Sequence, residues 1–414
     1  MTTTLTSFYE SQTITAPARK SAGTWLNVVA HLDPRYGGIS AVLPSFCEAV
    51  LRGGRAEAAL APFCAPDEQF EVTPGLEVER YPLGNTKWRG GDEVRRRFQA
   101  QIDRSAGLHI HGLWQEHCAL AARAARKAVK PYIISAHGML EPWALHHKRW
   151  KKLLYSMLIE RRNLNGAACL HALTDREAQD YRRFGLDNPV AIVPNGVELP
   201  ASTDPSAFFH EYPQLAGKRI VLFLARLHFK KGLDLLCQAW KNADRPGDVQ
   251  LVLAGPDFEG TEARVKSSIK DLDIASSVTF TGMLKGERKW NALAAAEVFV
   301  LPSRSEGLSV SVLEALGMGV PAIVSSQCNV PEVQTRECGW MIEPDTNELT
   351  AALNQYFESS AGNRFMMGMN GRRVIEEKYS WRIVGRQISA VYEWLAGGGS
   401  APEADVRFAS GAKA

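Results

Sequence analysis

Val298-Phe299-Val300-Leu301-Pro302-Ser303-Arg304-Ser305-Glu306-Gly307-Leu308-Ser309-Val310-Ser311-Val312-Leu313-Glu314 reads as a buried strand, a tight turn and a helix. The run 298–301 is apolar, Pro302 ends it, and Glu306-Gly307 predicts the turn. A strand that leads through a turn into a helix is the unit of parallel sheets covered by helices. The stretch therefore predicts an α/β fold.

The same turn predicts a phosphate-binding site. The first backbone N–H groups of a helix lack partners within the helix, so they attract anions. We expect the N–H groups of Gly307, Leu308 and Ser309 to hold a diphosphate. Glu314 is expected about two turns into the helix, on the side of Glu306, where one carboxylate can bind a ribose and the other a sugar ring. Two solvated glutamates at an ordinary helix start are the alternative.

A cationic pair follows a second apolar run. Residues 220–224 predict a strand, and Arg226 and Lys231 come after its carboxyl end. Open α/β sheets bind their ligands at this edge. Arginine can bind phosphate oxygens through two parallel hydrogen bonds, and lysine can act as a point charge on a leaving group. We therefore expect both residues to stabilise a diphosphate, with a solvated basic loop as the alternative.

Two turns in the first half of the chain are further candidates. Gly37-Gly38 precedes a helix predicted near Ser40, so its backbone can approach a diphosphate closely, or it is a simple strand-to-helix turn. His137, in the turn Ala136-His137-Gly138, follows a strand predicted over 132–135. Its place at the carboxyl edge of a sheet favours a site residue over a structural one.

The chain has 414 residues, which is too long for one core and suits two domains. Short apolar runs alternate with helical patterns on both sides of a Pro- and Ser-rich segment. The predicted organisation is a disordered N-terminal segment over 1–23, a domain over 24–199, a linker over 200–213, a second domain over 214–380 and a disordered tail over 397–414. The predicted strands are 25–32, 56–60, 108–111, 132–135, 169–172 and 190–193, then 220–225, 250–254, 278–281, 298–301 and 322–325.

Composition narrows the class of protein. Hydrophobic residues make up 45% and charged residues 22% of the chain, as in soluble globular proteins. A net charge of +3 gives no case for nucleic-acid binding. No glycine-rich dinucleotide or P-loop motif follows a strand, which counts against dehydrogenases and P-loop enzymes. Scattered cysteines without a Cys-x-x-Cys pair, no secretory signal and no long apolar run favour a cytoplasmic protein.

Together these motifs resemble the retaining glycosyltransferases of family 4, or glycosyl transferases group 1, of the bacterial polysaccharide and glycolipid type. The resemblance runs from about residue 25 to 395, and Ala225 and the loop 328–332 depart from the family pattern. The residues that carry it are Gly37-Gly38, Ala136-His137-Gly138, Pro194-Asn195-Gly196-Val197, Arg226, Lys231, Glu306 and Glu314.

The resemblance implies GT-B architecture: two Rossmann-like, doubly wound domains facing a cleft, with a helix over 381–396 crossing back to the N-terminal domain. It implies a hexosyltransferase without a metal or other cofactor, working in cell-surface polysaccharide biosynthesis. The donor would be a nucleoside-diphosphate sugar and the acceptor a glycan or lipid-linked glycan. The catalytic residues would be Arg226, Lys231, Glu306 and His137, and the donor-binding residues Gly37, Gly38, Gly307, Leu308, Ser309 and Glu314.

Three weaker patterns remain. His111-Gly112-Leu113-Trp114 is expected to shape the acceptor cleft; a metal site around His109 and His111 lacks completing ligands. No Asp-x-Asp follows a strand, so cationic side chains and helix dipoles are expected to neutralise the diphosphate. The basic, aromatic segment 148–162 predicts an amphipathic helix, which is either an ordinary surface helix or a peripheral contact with the inner face of the cytoplasmic membrane.

Two other functions fit the same fold. A sugar-nucleotide 2-epimerase would share the two domains and the diphosphate site, but it would turn over the donor without an acceptor. A non-catalytic sugar-nucleotide binding protein would be expected to have lost Lys231 or Glu306, and both are present.

Overall fold

The computed structural model describes residues 23–409 apart from 34–37, 55, 65–67, 69, 71–73, 83–90, 142–158, 398 and 404. The predicted disordered segment 1–23 thus lies outside the described residues except for Gly23. The described strands are β1 (Thr24–Val29), β2 (Glu57–Pro62), β3 (Glu77–Val78), β4 (Gly107–His111), β5 (Tyr132–Ser135), β6 (Cys169–Ala172), β7 (Val190–Ile192), β8 (Arg219–Leu224), β9 (Val249–Ala254), β10 (Val278–Gly282), β11 (Ala296–Leu301), β12 (Ala322–Ser325), β13 (Gly339–Ile342) and β14 (Val406–Arg407).

The helices of the described residues lie between these strands and after the last parallel one. They are α1 (Gly38–Gly53), α2 (Asp92–Arg104), α3 (Glu116–Lys127), α4 (Arg161–Asn165), α5 (Asp175–Arg183), α6 (Pro205–Glu211), α7 (Leu233–Asn242), α8 (Thr261–Asp271), α9 (Glu287–Ala295), α10 (Val310–Gly317), α11 (Glu332–Thr335), α12 (Thr346–Glu358), α13 (Ala361–Val374) and α14 (Trp381–Leu395).

The strands form two sheets, one in each domain. The order is β14-β7-β6-β5-β4-β1-β2-β3 in the first sheet and β10-β9-β8-β11-β12-β13 in the second. Neighbouring strands are parallel, except that β14 runs antiparallel to β7. Central strands such as β9 are buried along their whole length, which explains their continuous apolar sequences.

The helix α14 belongs to the first domain although it follows the second in sequence. It packs along α1, and the ring of its Tyr392 stacks on Trp25 of β1 with centroids 4.4 Å apart. The approach is close because α14 has Gly385 where a Cβ atom would lie 2.2 Å from the carbonyl oxygen of Ala49. The predicted fold class is confirmed: two doubly wound, Rossmann-like domains with a C-terminal helix that crosses back.

Three segments differ from the prediction. The predicted tail contains β14. Its Val406 is buried, and the N–H of Ile192 donates to the backbone carbonyl oxygen of Asp405 at 2.7 Å. The predicted linker contains α6, which Asp204 caps by accepting from the N–H of Ser206. The helix expected to open at Glu306 begins instead at Val310.

The late start of α10 has a local cause. The carbonyl groups of Glu306 and Gly307 accept from Nδ2 of Asn329, at 2.5 and 3.0 Å, and Ser309, with φ −79° and ψ 101°, is extended rather than helical. Residues 306–309 therefore form a loop that the neighbouring loop holds in place.

Candidate active site

The segments that follow the carboxyl ends of strands in both domains face one cleft. A cavity of about 470 Å³ opens there, an ordinary size for a ligand pocket. The first domain contributes the ends of β1, β4 and β5 and the start of α1, and the second contributes the segments after β8 and β11. Predicted residues that line the cavity are Gly38, His111, His137, Arg226, Lys231, Glu306, Gly307 and Leu308.

Lys231 and Glu306 form an ion pair inside the cleft. Nζ of Lys231 lies 2.5 Å from Oε1 of Glu306, and Oγ of Ser303 donates to the same oxygen at 2.6 Å. The turn that carries Lys231 can approach because Gly232 has φ 71°, and a Cβ atom there would lie 2.1 Å from the carbonyl oxygen of Pro302. Only glycine fits this contact. An incoming anion would thus compete with Glu306 for the lysine.

Arg226 is held differently from Lys231. Its guanidinium lies over the ring of Phe258, 5.1 Å from the centroid, and it makes no ion pair or hydrogen bond with a described residue. An aromatic face leaves the guanidinium N–H groups available for phosphate oxygens. The ring of His228 lies 5.2 Å from Phe258, and its Nδ1 accepts from the N–H of Lys230 at 3.0 Å, which fixes the turn.

The loop between β11 and α10 offers two backbone donors. The N–H groups of Gly307 and Leu308 make no hydrogen bond with a described residue, and both residues line the cavity. The N–H of Ser309 donates instead to the carbonyl oxygen of Cys328 at 3.2 Å, and Ser309 is buried. The predicted donor contact through this N–H is therefore corrected, because the group is already satisfied.

The two domains meet at Gly138 and Gly307. A Cβ atom on Gly138, which has φ 75°, would lie 3.2 Å from Cα of Gly307. Beside this contact, Oε2 of Glu141 accepts from Oγ of Ser305 at 2.6 Å. Burial raises the pKa of Glu141 to about 7. The sequence analysis missed Glu141; its only signal is its place in the turn that carries His137.

His137 lies in the turn after β5, at the cleft, with φ 52°, and its Nε2 lies 3.1 Å from Nδ1 of His111. Burial lowers the pKa of His137 to about 3 and holds the pKa of His111 well below its ordinary value. Both imidazoles are therefore neutral at pH 7. Positive charge in the cleft comes from lysine and arginine.

Besides Ser309, two predicted residues lie outside the cavity lining. Trp114 is half-buried, and its backbone N–H donates to Oε2 of Glu160 at 3.3 Å; its place in the acceptor cleft stays a prediction. Glu314 lies on α10 with Oε1 2.7 Å from Nζ of Lys289. Lys289 was not predicted, because nothing in the sequence links α9 to α10.

Some predictions cannot be placed. Gly37 and residues 142–158, which include most of the predicted basic helix 148–162, lie outside the described residues. Over the part of the chain that is described, no group of three or more His, Cys, Asp or Glu side chains is arranged to hold a metal ion. Within the same ranges, none of the helices combines the length and apolar character needed to cross a membrane.

Two family models match the chain. The model described as "Glycosyl transferase 4-like domain" matches residues 37–196, and the model described as "Glycosyl transferases group 1" matches residues 207–374. The gap between them, residues 197–206, overlaps the predicted linker 200–213.

Named relatives match over most of the chain. It is 28% identical over 292 residues to the GDP-mannose-dependent monoacylated alpha-(1-6)-phosphatidylinositol monomannoside mannosyltransferase of Corynebacterium glutamicum, which covers 66% of this chain and 73% of that protein. It is 26% identical over 386 residues to the GDP-mannose-dependent alpha-(1-6)-phosphatidylinositol monomannoside mannosyltransferase of Mycolicibacterium smegmatis, with 88% and 97% covered. Among solved structures, HepE of Anabaena in complex with UDP and glucose has a TM-score of 0.72 at 17% identity, covering 90% of this chain and 100% of that one.

The solved structure shares the fold, and the sequence matches identify the family. The family models and the sequence relatives favour sugar transfer over both alternatives, a sugar-nucleotide 2-epimerase and a non-catalytic binding protein. Because glycosyltransferase models match both halves and the motif residues of both domains line one cleft, the chain belongs to the family 4 glycosyltransferases, the glycosyl transferases group 1.

Proposed function

We propose that this enzyme moves a hexosyl unit from a nucleoside-diphosphate sugar to a hydroxyl of a glycan or lipid-linked glycan, with retention at the anomeric carbon and without a metal ion. The observation that carries the proposal is the convergence of Arg226, Lys231, Glu306 and His137, from two domains, on one cavity. Arg226 and Lys231 follow the carboxyl end of β8, next to the N–H groups of Gly307 and Leu308, which no described residue hydrogen-bonds. This arrangement suits a leaving diphosphate.

On this proposal Arg226 binds the diphosphate first, because no carboxylate among the described residues pairs with it. Lys231 then exchanges Glu306 for a phosphate oxygen, and Glu306 turns to a hydroxyl of the transferred sugar. The bond from the anomeric carbon to the phosphate oxygen breaks, and the acceptor oxygen forms its bond to that carbon from the same face. The acceptor proton goes to the departing phosphate oxygen. Stabilising the growing negative charge is the main contribution of the protein.

Retention and the acceptor requirement are tested in one reaction. The relatives named above are GDP-mannose-dependent, so GDP-mannose is the first donor and phosphatidylinositol monomannoside the first acceptor, followed by UDP-glucose and other donors. We expect release of nucleoside diphosphate that depends on the acceptor, and a product with the anomeric configuration of the donor by NMR. An inverted product would refute retention, and turnover of the donor alone would favour the epimerase.

Metal independence has its own experiment. If Arg226 and Lys231 neutralise the diphosphate, turnover should be unchanged after dialysis against EDTA. Loss of turnover on chelation and its recovery with Mg²⁺ or Mn²⁺ would contradict the proposal.

We also propose that the basic segment 148–162 brings the enzyme to the inner face of the cytoplasmic membrane. Its support is the sequence, which places Lys148, Arg149, Lys151 and Lys152 beside Trp150 and Tyr155. The protein should float with phosphatidylglycerol vesicles and not with phosphatidylcholine vesicles. Replacing the four basic residues by glutamine should abolish flotation without lowering transfer to a soluble acceptor; unchanged flotation would contradict the proposal.

A further inference from the structure

Four neutral imidazoles form a buried hydrogen-bonded network behind the cleft. They belong to His109 and His111 on β4, to His171 on β6, which lies on the other side of β5, and to His137 at the cavity. Burial is the largest cause that lowers the pKa of each imidazole, to about 4 for His171 and about 3 for His137. A neutral imidazole has one N–H donor and one acceptor nitrogen, so its fixed partners determine which nitrogen carries the proton.

One arm of the network runs from β1 to the cavity. Nδ2 of Asn27 donates to the carbonyl oxygen of Trp25 at 3.3 Å, which leaves Oδ1 of Asn27 as an acceptor. Nε2 of His111 lies 3.1 Å from that oxygen, so Nε2 of His111 carries the proton and its Nδ1 is an acceptor. Nε2 of His137 lies 3.1 Å from this Nδ1 and must donate to it. The Nδ1 of His137 is then unprotonated, and no described residue hydrogen-bonds it.

The second arm starts from the carbonyl oxygen of Val193, which can only accept. Nε2 of His171 donates to it at 2.7 Å, so Nδ1 of His171 accepts from Oγ of Ser135 at 2.7 Å. That hydroxyl must in turn accept from Nε2 of His109 at 2.6 Å. Nδ1 of His109 then accepts from the hydroxyl of Tyr392 at 2.7 Å. The hydroxyl of Tyr392 also lies 3.3 Å from Oδ1 of Asn27, so the second arm meets the first at Asn27. Because Oδ1 can only accept, this contact leaves the proton of His111 on Nε2.

We propose that Asn27 and His111 are positioning residues that fix the tautomer of His137, so that His137 presents an acceptor nitrogen to a hydroxyl of the donor sugar. This inference rests on the proposed function for the identity of the ligand, but the tautomer itself follows from the network alone. A cationic or Nδ1-protonated His137 would instead donate, to a phosphate, carbonyl or hydroxyl oxygen. The network thus assigns His137 the role of acceptor from a donor group of the ligand, which on a sugar is an O–H.

The tautomers are tested directly on the whole protein labelled with [¹⁵N]histidine. Long-range ¹⁵N–¹H correlation spectra distinguish the two neutral tautomers and the cation, and each signal is assigned by removing one histidine at a time. We expect the Nε2-protonated neutral pattern for all four residues at pH 7 and again at pH 5.5. A His137 signal with its proton on Nδ1, or with both nitrogens protonated, would overturn the inference whether or not the enzyme transfers sugar.

The positioning role is tested with two variants. Asn27→Leu removes the acceptor that orients His111, and Ser135→Ala interrupts the second arm in the same core. We expect Asn27→Leu to mix the tautomers of His111 and His137 and to raise the donor KM roughly tenfold, with a smaller change in kcat. Ser135→Ala should lower thermal stability comparably and leave the tautomer of His137 and the donor KM unchanged. Equal effects of the two variants on KM would reduce the role of Asn27 to a structural one.

Donor analogues test what the nitrogen recognises. If Nδ1 of His137 accepts from a sugar hydroxyl, a deoxy and a fluoro analogue at that carbon should lose the same affinity, because a C–F group cannot donate. The loss should be smaller in Asn27→Leu, since contacts that share a partner are coupled. Retained affinity for every fluoro analogue, together with the predicted tautomers, would refute recognition of a hydroxyl by His137.

Discussion

At the scale of single residues, the two predicted cations of the cleft, Arg226 and Lys231, are in different states. Lys231 is paired with Glu306, whereas the guanidinium of Arg226 is held by the ring of Phe258 and no described carboxylate contacts it. The sequence predicted that both residues belong to one site, because both follow the same strand. It could not predict their partners, since Glu306 and Phe258 lie in segments that follow other strands of the sheet. The difference leads to separate expectations for the two cations.

Arg226→Ala and Lys231→Ala should each lower kcat by about two to three orders of magnitude, because each removes a group that stabilises charge on the leaving phosphate. Arg226→Ala should also weaken binding of the nucleoside diphosphate, because the free guanidinium binds it without first breaking an ion pair. Lys218→Ala, at the amino end of the same strand, is the control and should keep the wild-type rate. Steady-state kinetics and calorimetric titration measure both effects; near-normal turnover in either cleft variant contradicts the assignment.

The two glutamates should differ in the step that they support. Glu314→Gln removes a charge paired with Lys289 on α9 and should weaken nucleoside-diphosphate binding by about 1.5–3 kcal/mol if the carboxylate holds the ribose. Glu306→Gln should mainly lower kcat, because Glu306 lines the cavity beside the reacting sugar. Calorimetric titration of the nucleoside diphosphate measures the affinity of both variants, and steady-state kinetics measures their kcat. Equal losses of affinity would rule out this division of roles.

At the scale of helices and strands, the sequence predicted the central elements well and the edges poorly. Strands over 132–135, 169–172 and 322–325 have the predicted bounds, because buried parallel strands are continuous apolar runs. The start of α10 was predicted too early, because the loop before it is held by hydrogen bonds from the side chain of Asn329 to the carbonyl groups of Glu306 and Gly307, which local sequence does not reveal. The two-residue strand β14 was missed because it pairs with β7, which is distant in sequence. Local sequence patterns do not show which distant segments pair.

The contact between α1 and α14 should be intolerant of a single methyl group. A Cβ atom at position 385 would lie 2.2 Å from the carbonyl oxygen of Ala49, so Gly385→Ala must push the two helices apart. We expect a loss of about 1–3 kcal/mol in the free energy of unfolding, despite the better helix propensity of alanine. Gly362→Ala in α13, where the nearest atom would be 3.8 Å away, is the matched control and should be neutral or slightly stabilising. Denaturant unfolding of both variants measures this, and equal stabilities would contradict it.

At the scale of the whole molecule, the active site exists only when the two domains face each other. Gly138 meets Gly307, and Glu141 accepts from Ser305, across the cleft that holds the cavity. The family resemblance predicted two facing domains, and apolar patterns located their sheets. Neither could predict the contacts between domains, because these depend on how whole domains are placed.

The last prediction tests whether this closed arrangement exists in solution, through the titration of Glu141. Burial raises the pKa of Glu141 from 4.5 to about 7 in the folded protein. Between pH 4.5 and about pH 7 the unfolded chain loses the Glu141 proton and the folded protein keeps it. The free energy of unfolding therefore falls as pH rises, and the whole loss is present above about pH 7. At about 1.36 kcal/mol per pKa unit, the cost is at most about 3–4 kcal/mol.

Glu141→Gln keeps an acceptor for Ser305 and cannot ionise, so it isolates this contribution. Unfolding of both proteins should show wild type losing up to about 3 kcal/mol relative to Glu141→Gln between pH 4.5 and pH 8. The difference between the proteins is the measured quantity, because the buried histidines titrate in both and cancel. Ser305→Ala removes a hydrogen bond that lowers the pKa of Glu141, so it should strengthen the pH dependence. A constant difference between wild type and Glu141→Gln across this range would mean that the carboxyl group is solvated, and that the cleft is open in solution.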